Sequence, residues 1–337
     1  MVVGMKGMKP EKKQMFSQEA VGSIYHRNTA RRQRIGDLCA VFLFLLLLPY
    51  ACSLLFGKDT AVVSGHVLPD AQEGISVICR ESAGERAIPL ETYVEGALAA
   101  SIPMTCEEET LKAQAVILRT MCMRVCERED RNRISAQEIG QVYLDGAEQE
   151  RLWGAACEEN REKAARAVTA TAGIYMTAQG QAIEPAYFWL SAGRTRDGRE
   201  VLGEEYACMT GVDCGHDMEA ENFLQSVDVE EARFWELLGL QKQEKLSLVR
   251  DSAGYVLWLE AGDKKIPGEE MRSRFMLPSA CFSMENEGGR VTFTCKGEGH
   301  GLGFCQHEAD RRAAEGADYI ALLKVFFQDI ELEKIAE

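Results

Sequence analysis

The sequence predicts an α+β fold: a single extracytoplasmic mixed domain of interspersed helices and short strands, preceded by one transmembrane helix. Three observations carry this. Residues 38–56, LCAVFLFLLLLPYACSLLF, form an uncharged apolar run that as a helix, at roughly 1.5 Å per residue, spans a hydrocarbon core. Downstream, apolar residues recur at helical spacing in several blocks. Between those blocks lie short segments rich in β-branched and aromatic residues, with no strict alternation of helix and strand.

In chain order, residues 1–37 are polar and carry eight Lys/Arg against Glu11, Glu19 and Asp37, which reads as a basic cytoplasmic tail. Arg27, Arg31, Arg32 and Arg34 lie just before the apolar run. The positive-inside bias then leaves the N-terminus in the cytoplasm and the remainder outside a cell membrane crossed once. Pro49 bends the span, which membrane helices tolerate. Its length and the long leader favour an uncleaved anchor over a signal peptide. Residues 57–74 are small and polar and read as a linker, and residues 75–335 as the domain.

Within that domain, Pro89 stands at a first-turn position, and Leu90, Val94, Ala97 and Leu98 line one face of a helix reaching Ser101. Thr105 followed by Glu107, Glu108 and Glu109 marks the next helix start, and a stripe from Leu111 to Val125 carries it to about Glu127. Further helices are predicted over 157–170, 229–240 and 305–328, the last broken near Gly316. Strands are predicted around 75–79, 182–190, 246–260 and 291–295, with Asp251-Ser252-Ala253-Gly254 as a turn.

The formal net charge is −15, and the basic tail contributes +5, so the remaining 300 residues carry −20. A domain that acidic excludes nucleic acid as a partner, because phosphate binding needs a cationic face. Of the twelve cysteines, Cys39 and Cys52 fall in the apolar run and ten lie beyond it. An even number outside the membrane fits disulfides, and buried free thiols fit equally well. Both readings stay open.

Three segments carry a resemblance. The first, residues 89–119, is PLETYVEGALAASIPMTCEEETLKAQAVILR. The second, 186–195, is AYFWLSAGRT, followed by VDCGHD. The third, 297–306, is GEGHGLGFCQ and leads into AAEGADYIALLKVFF. In this order they resemble the stage II sporulation protein D (amidase-enhancer) family, and the likeness runs from about 75 to 335. It implies a single-pass protein acting on peptidoglycan during engulfment of the forespore. The family's characterised members are lytic transglycosylases that cut peptide-free glycan strands, and related domains enhance cell-wall amidases. The implied partners are glycan strands, a membrane-anchored amidase and a polytopic membrane protein.

Glycosidic cleavage needs a carboxylic acid to protonate the leaving oxygen, an effect of about 10²–10⁴-fold. The family carries its catalytic glutamate where this chain has Ser101, so whether the chain is an enzyme is an open question. Glu95 lies about 120° from Ser101 around an ideal helix. Glu107, Glu108 and Glu109 read as a solvated helix start. Glu298, just before the GHG turn, is the better substitute. The motif match adds Gln114, Arg119, Ser191, Thr195, His300 and Gln306 as candidate glycan contacts. Gln114 and Arg119 are about 140° apart and cannot both face one ligand. Lys112 shares the face of Arg119. No cofactor is required, although Cys208, Cys214 and His216 could supply three ligands to a structural zinc, a metal that some family members are thought to bind nearby. The expectation is glycan binding with lost or much reduced cleavage. Its alternative is an active lytic transglycosylase with a substitute acid.

Overall fold

The computed structural model describes residues 74–81, 84–241 and 245–335. The predicted tail, the span and residues 57–73 of the linker lie outside them. Among the described residues no helix is long and apolar enough to cross a membrane.

The chain runs β1 (Ser76–Glu81), β2 (Gly84–Pro89), α1 (Leu90–Ser101), α2 (Glu108–Glu129), β3 (Arg133–Ser135), α3 (Ala136–Ile139), α4 (Gly146–Trp153), α5 (Cys157–Ala170) and β4 (Ile174–Ala178). Next come β5 (Gln181–Ala182), β6 (Tyr187–Phe188), α6 (Gly198–Leu202), β7 (Leu224–Glu230), α7 (Glu231–Leu238), β8 (Leu246–Arg250), β9 (Val256–Ala261), β10 (Lys264–Pro267) and α8 (Gly268–Arg274). The chain closes with β11 (Phe282–Glu287), β12 (Arg290–Lys296), β13 (Phe304–Cys305), α9 (Gln306–Ala314), α10 (Tyr319–Phe326) and β14 (Glu331–Lys334). The mixed α+β class is therefore as the sequence predicts.

Helix α2 is apolar on two faces because it separates two cores. Leu111, Ala115, Leu118 and Cys122 pack with α1, α5 and the β2-β1-β3 sheet. Ala113, Val116 and Ile117 pack with β4, the β6–β13 pair and helices α9 and α10. An all-round apolar helix is stable only when enclosed in this way. A third core fills the segment between β7 and β12, where Phe234, Phe275 and Phe293 stack with centroids 5.1–6.1 Å apart. Its two sheets, β10-β9-β8 and β11-β12-β7, are antiparallel throughout.

Several boundaries differ from expectation for tertiary reasons. Pro89 ends β2 and flanks α1 instead of opening it. Helix α2 starts at Glu108, and Thr105 does not cap it. The Glu107 N–H donates to Asp310 Oδ1 at 2.6 Å, so the terminus is satisfied from 203 residues away. The segment predicted as helix from 229 begins as β7, which pairs along its whole length with β12. All ten described cysteines are free, and all but Cys208 are buried, which favours the thiol reading.

Arg119 is fully buried and makes two hydrogen bonds to Glu91, at 2.9 and 2.6 Å, and a third to the Ile174 carbonyl at 3.0 Å. Glu91 also accepts the Gly173 N–H at 3.1 Å. The pair therefore ties α1, α2 and the start of β4 together. Glu91→Ala strands a guanidinium in the core and is expected to cost about 3 kcal/mol, read as a shift in urea midpoint. A variant as stable as the wild type would show that the pair carries no such weight.

Candidate functional site

Ser101 is the last residue of α1, and its position is held through its backbone. Its carbonyl accepts the side-chain amide of Gln306 at 2.9 Å, and the same nitrogen lies 3.2 Å from Gln114 Oε1. Gln114 is completely buried, and its own Nε2 has no partner among the described residues. This small amide cluster joins α1, α2 and α9. Gln306 opens α9 and is nearly buried.

The Ser101 hydroxyl donates to the Leu98 carbonyl at 3.3 Å. The Tyr187 phenol lies within hydrogen-bond reach of it and donates to Gln141 Oε1, while burial pushes that phenol's pKa up. Residues 103–107 are braced from two sides. Lys163 donates to the carbonyls of Met104 and Cys106, at 2.8 and 2.6 Å, and Asp310 takes the Glu107 N–H.

Ser101 and this braced turn line an open groove of about 620 Å³, completed by Leu152, Trp153, Asn160, Trp189, Glu298 and Gln306. That volume suits a small ligand. Glu298 is exposed, and one of its oxygens accepts from Asn222 Nδ2 at 3.2 Å. Of the residues singled out from sequence, Ser101, Glu298 and Gln306 meet in this groove, and Gln114 supports it from beneath.

The others lie elsewhere. Arg119 is spent on Glu91, and Lys112 pairs with Glu108 and Glu109 on the helix surface. Ser191 is buried and accepts the Gly193 N–H, and its own N–H donates to Asp217. Thr195 is buried too, bridging the Thr210 carbonyl and the Val212 N–H. These hydroxyls close loops instead of facing a ligand.

His300 lies against Phe188 and lines a separate cavity with Tyr187, Arg124 and Gln141. Its Nδ1 accepts the Leu302 N–H at 3.1 Å, and its ring also bonds the Tyr187 backbone. The imidazole thus works as a pin between the GHG turn and β6. Burial is the main force lowering its pKa below 6.5. The turn around it needs glycine: Gly301 has φ +81°, and a Cβ there would sit 2.5 Å from the Tyr255 ring. Arg196 secures the same turn, with its N–H on the Gly301 carbonyl at 2.7 Å and its guanidinium on Asp251 at 2.6 Å.

Cys208, Cys214 and His216 are not brought together as a ligand set. Both nitrogens of His216 are taken by carboxylates, Glu308 and Glu315, each at 3.2 Å. Cys214 instead joins Cys305 and Asp217, whose ligand atoms all lie within 4.8 Å of one another. Asp217 is already satisfied by the Ser191 N–H, the Cys305 thiol and His307 Nδ1 at 2.8 Å. Burial, followed by the Cys214 and Asp217 contacts, holds the Cys305 thiol well above its ordinary pKa. Among the described residues the trio expected from sequence is not gathered into one ligand group, and the buried cluster offers three ligands where a structural zinc takes four.

Trp153, Asn160, Tyr187 and Trp189 escaped the sequence reading. Trp189 sits inside a quoted motif, but nothing in its spacing points it at Ser101. Trp153 and Asn160 come from helices remote from the motifs.

Gln306→Leu removes the amide shared by Ser101 and Gln114 and is expected to cost about 1–3 kcal/mol in urea unfolding. Unchanged stability would show that the amide cluster is incidental. His300 gives a pH signature. Its folded pKa lies below its unfolded value, so the unfolded chain binds the extra proton first, and stability falls as pH drops below about 6.5. His300→Asn is expected to flatten that limb of the stability profile, and an unaltered profile would remove His300 as its source.

Comparison with known proteins matches residues 83–177 to the family described as stage II sporulation protein. That stretch holds α1, α2 and β4, with Ser101, Gln114 and Arg119. Stage II sporulation protein D of Bacillus amyloliquefaciens is 28% identical over 257 residues, covering 73% of this chain and 75% of the relative. Its namesake in Bacillus subtilis (strain 168) is 26% identical over 324 residues, covering 89% and 94%. With the matched stretch lying on the groove's own helices and relatives aligned over most of their length, this chain is similar to the stage II sporulation protein D family.

Proposed function

We propose that the chain is a membrane-anchored, glycan-binding protein of the sporulation engulfment machinery, with little or no lytic transglycosylase activity of its own. In this reading it holds peptide-free peptidoglycan strands in the Ser101 groove, and its apolar segment 38–56 keeps it at the membrane. It then recruits or stimulates a cell-wall amidase, alongside a polytopic membrane partner. The observation that supports binding is the meeting of Ser101, Glu298 and Gln306 in one groove, from motifs about 200 residues apart. The observation against cleavage is chemical. A serine hydroxyl within reach of a phenol is no proton donor to a glycosidic oxygen, and that donation supplies about 10²–10⁴-fold.

One feature favours a second reading, in which the chain cleaves glycan with a substitute acid. Glu298 lines the same groove as Ser101. A carboxyl there could protonate a leaving oxygen if the strand lay across both residues.

The two readings separate in one assay. The full chain in a non-ionic detergent is incubated with peptide-free glycan strands, and anhydro-muramyl ends are counted by mass spectrometry. Sedimentation with glycan and few or no anhydro ends is the expected result. Ser101→Glu is expected to raise anhydro ends by about 10²-fold, because it restores an acid to a groove that is otherwise complete. Robust cleavage by the wild type, abolished in Glu298→Gln, would replace the first reading with the second. Neither binding nor cleavage would remove both.

A further inference from the structure

The groove's lining has an unusual charge pattern for a site facing peptidoglycan. When its stem peptide is removed, each muramyl sugar exposes a free lactyl carboxylate, whereas the alternating N-acetylglucosamine has none. Among the described residues lining the groove there is no Lys, Arg or His, and the single charged side chain is Glu298. Lys163 braces the 103–106 rim but is not among the lining residues, and its ammonium is committed to the Met104 and Cys106 carbonyls. A lactyl carboxylate seated here would meet a like charge with no cation to offset it.

What the groove does offer suits an uncharged sugar ring. Trp153 and Trp189 are half-buried indoles on its walls, and Asn160 and Gln306 bring amides. Trp189 is held firmly. Its carbonyl accepts the His307 N–H at 3.0 Å, and its ring meets the His307 ring edge-on at 5.9 Å. Trp153 ends α4, packed at the margin of the first core. Aromatic faces take the apolar C–H face of a pyranose, while side-chain amides bond hydroxyl or acetamido groups.

Resting on the glycan-binding reading, the geometry points to a groove subsite, bounded by Trp153, Trp189 and Glu298, that takes an uncharged N-acetylhexosamine and rejects the carboxylate-bearing muramyl sugar. The strand is thereby held in register, with N-acetylglucosamine beside Glu298. Glu298 is then a specificity-determining residue that acts by repulsion.

The test uses the full chain in a polyoxyethylene detergent that carries no sugar. Tryptophan fluorescence is titrated with chitopentaose, which is neutral, and with peptide-free glycan strands. Chitopentaose is expected to bind at least as tightly as the strands. Glu298→Gln is expected to tighten the strands about fivefold and to leave chitopentaose within about twofold, and 1 M salt is expected to erase that difference. Trp189→Ala is expected to weaken chitopentaose about tenfold while circular dichroism stays unchanged. Binding of the strands without chitopentaose, or equal effects of Glu298→Gln on both, would overturn the neutral subsite and leave the glycan reading standing. If neither ligand binds, the glycan reading itself falls, and this inference falls with it.

Discussion

The ion pair between the buried Arg119 and the partly exposed Glu91 sets the frame on which everything else is hung. A guanidinium with no exposure must have its charge met inside the protein, because an unpaired buried charge is far costlier than an unpaired surface one. Glu91 meets it, and Glu91 lies on α1, so α1 and α2 are locked in one register. The same carboxylate takes the Gly173 N–H and the same guanidinium the Ile174 carbonyl, which brings the start of β4 to the joint. Ser101, ten residues further along α1, inherits its place from that lock.

The C-terminal half supplies the second constraint. Its glycine-rich turn is wedged against Tyr255 and Arg196 and pinned by its own His300, so Gln306 emerges at one place and reaches the end of α1. What Gln306 holds is the carbonyl of residue 101, not its side chain. That contact is therefore independent of which side chain stands there. A serine can occupy the position without loosening the turn.

The cysteines follow from packing. Nine of the ten described are buried, and burial pushes thiols such as Cys79 and Cys295 up to about 11. A buried thiol of that kind behaves as a small apolar side chain with a weak donor, as Cys305 does toward Asp217. With that donor, a backbone N–H and His307, Asp217 is satisfied by the protein alone.

By itself, the sequence determined what depends on local periodicity and composition. Residues 157–170 form a helix as predicted, residues 306–326 form helices parted near Gly316, and the class is α+β. It also marked the groove's chain-distant members, Ser101, Glu298 and Gln306, because the motifs carrying them are long and occur in order. Tertiary structure decided which side of each helix meets the groove and which is spent inside. Arg119, Ser191, Thr195 and His300 carry groups able to hold a sugar, yet each had a nearer partner whose burial demanded it. Trp153 and Trp189 were invisible as a pair because the end of α4 and the residue following β6 line one groove only in the folded chain. Hydrogen-bond demand in the interior is a property of the packed whole, and no spacing along the chain encodes it.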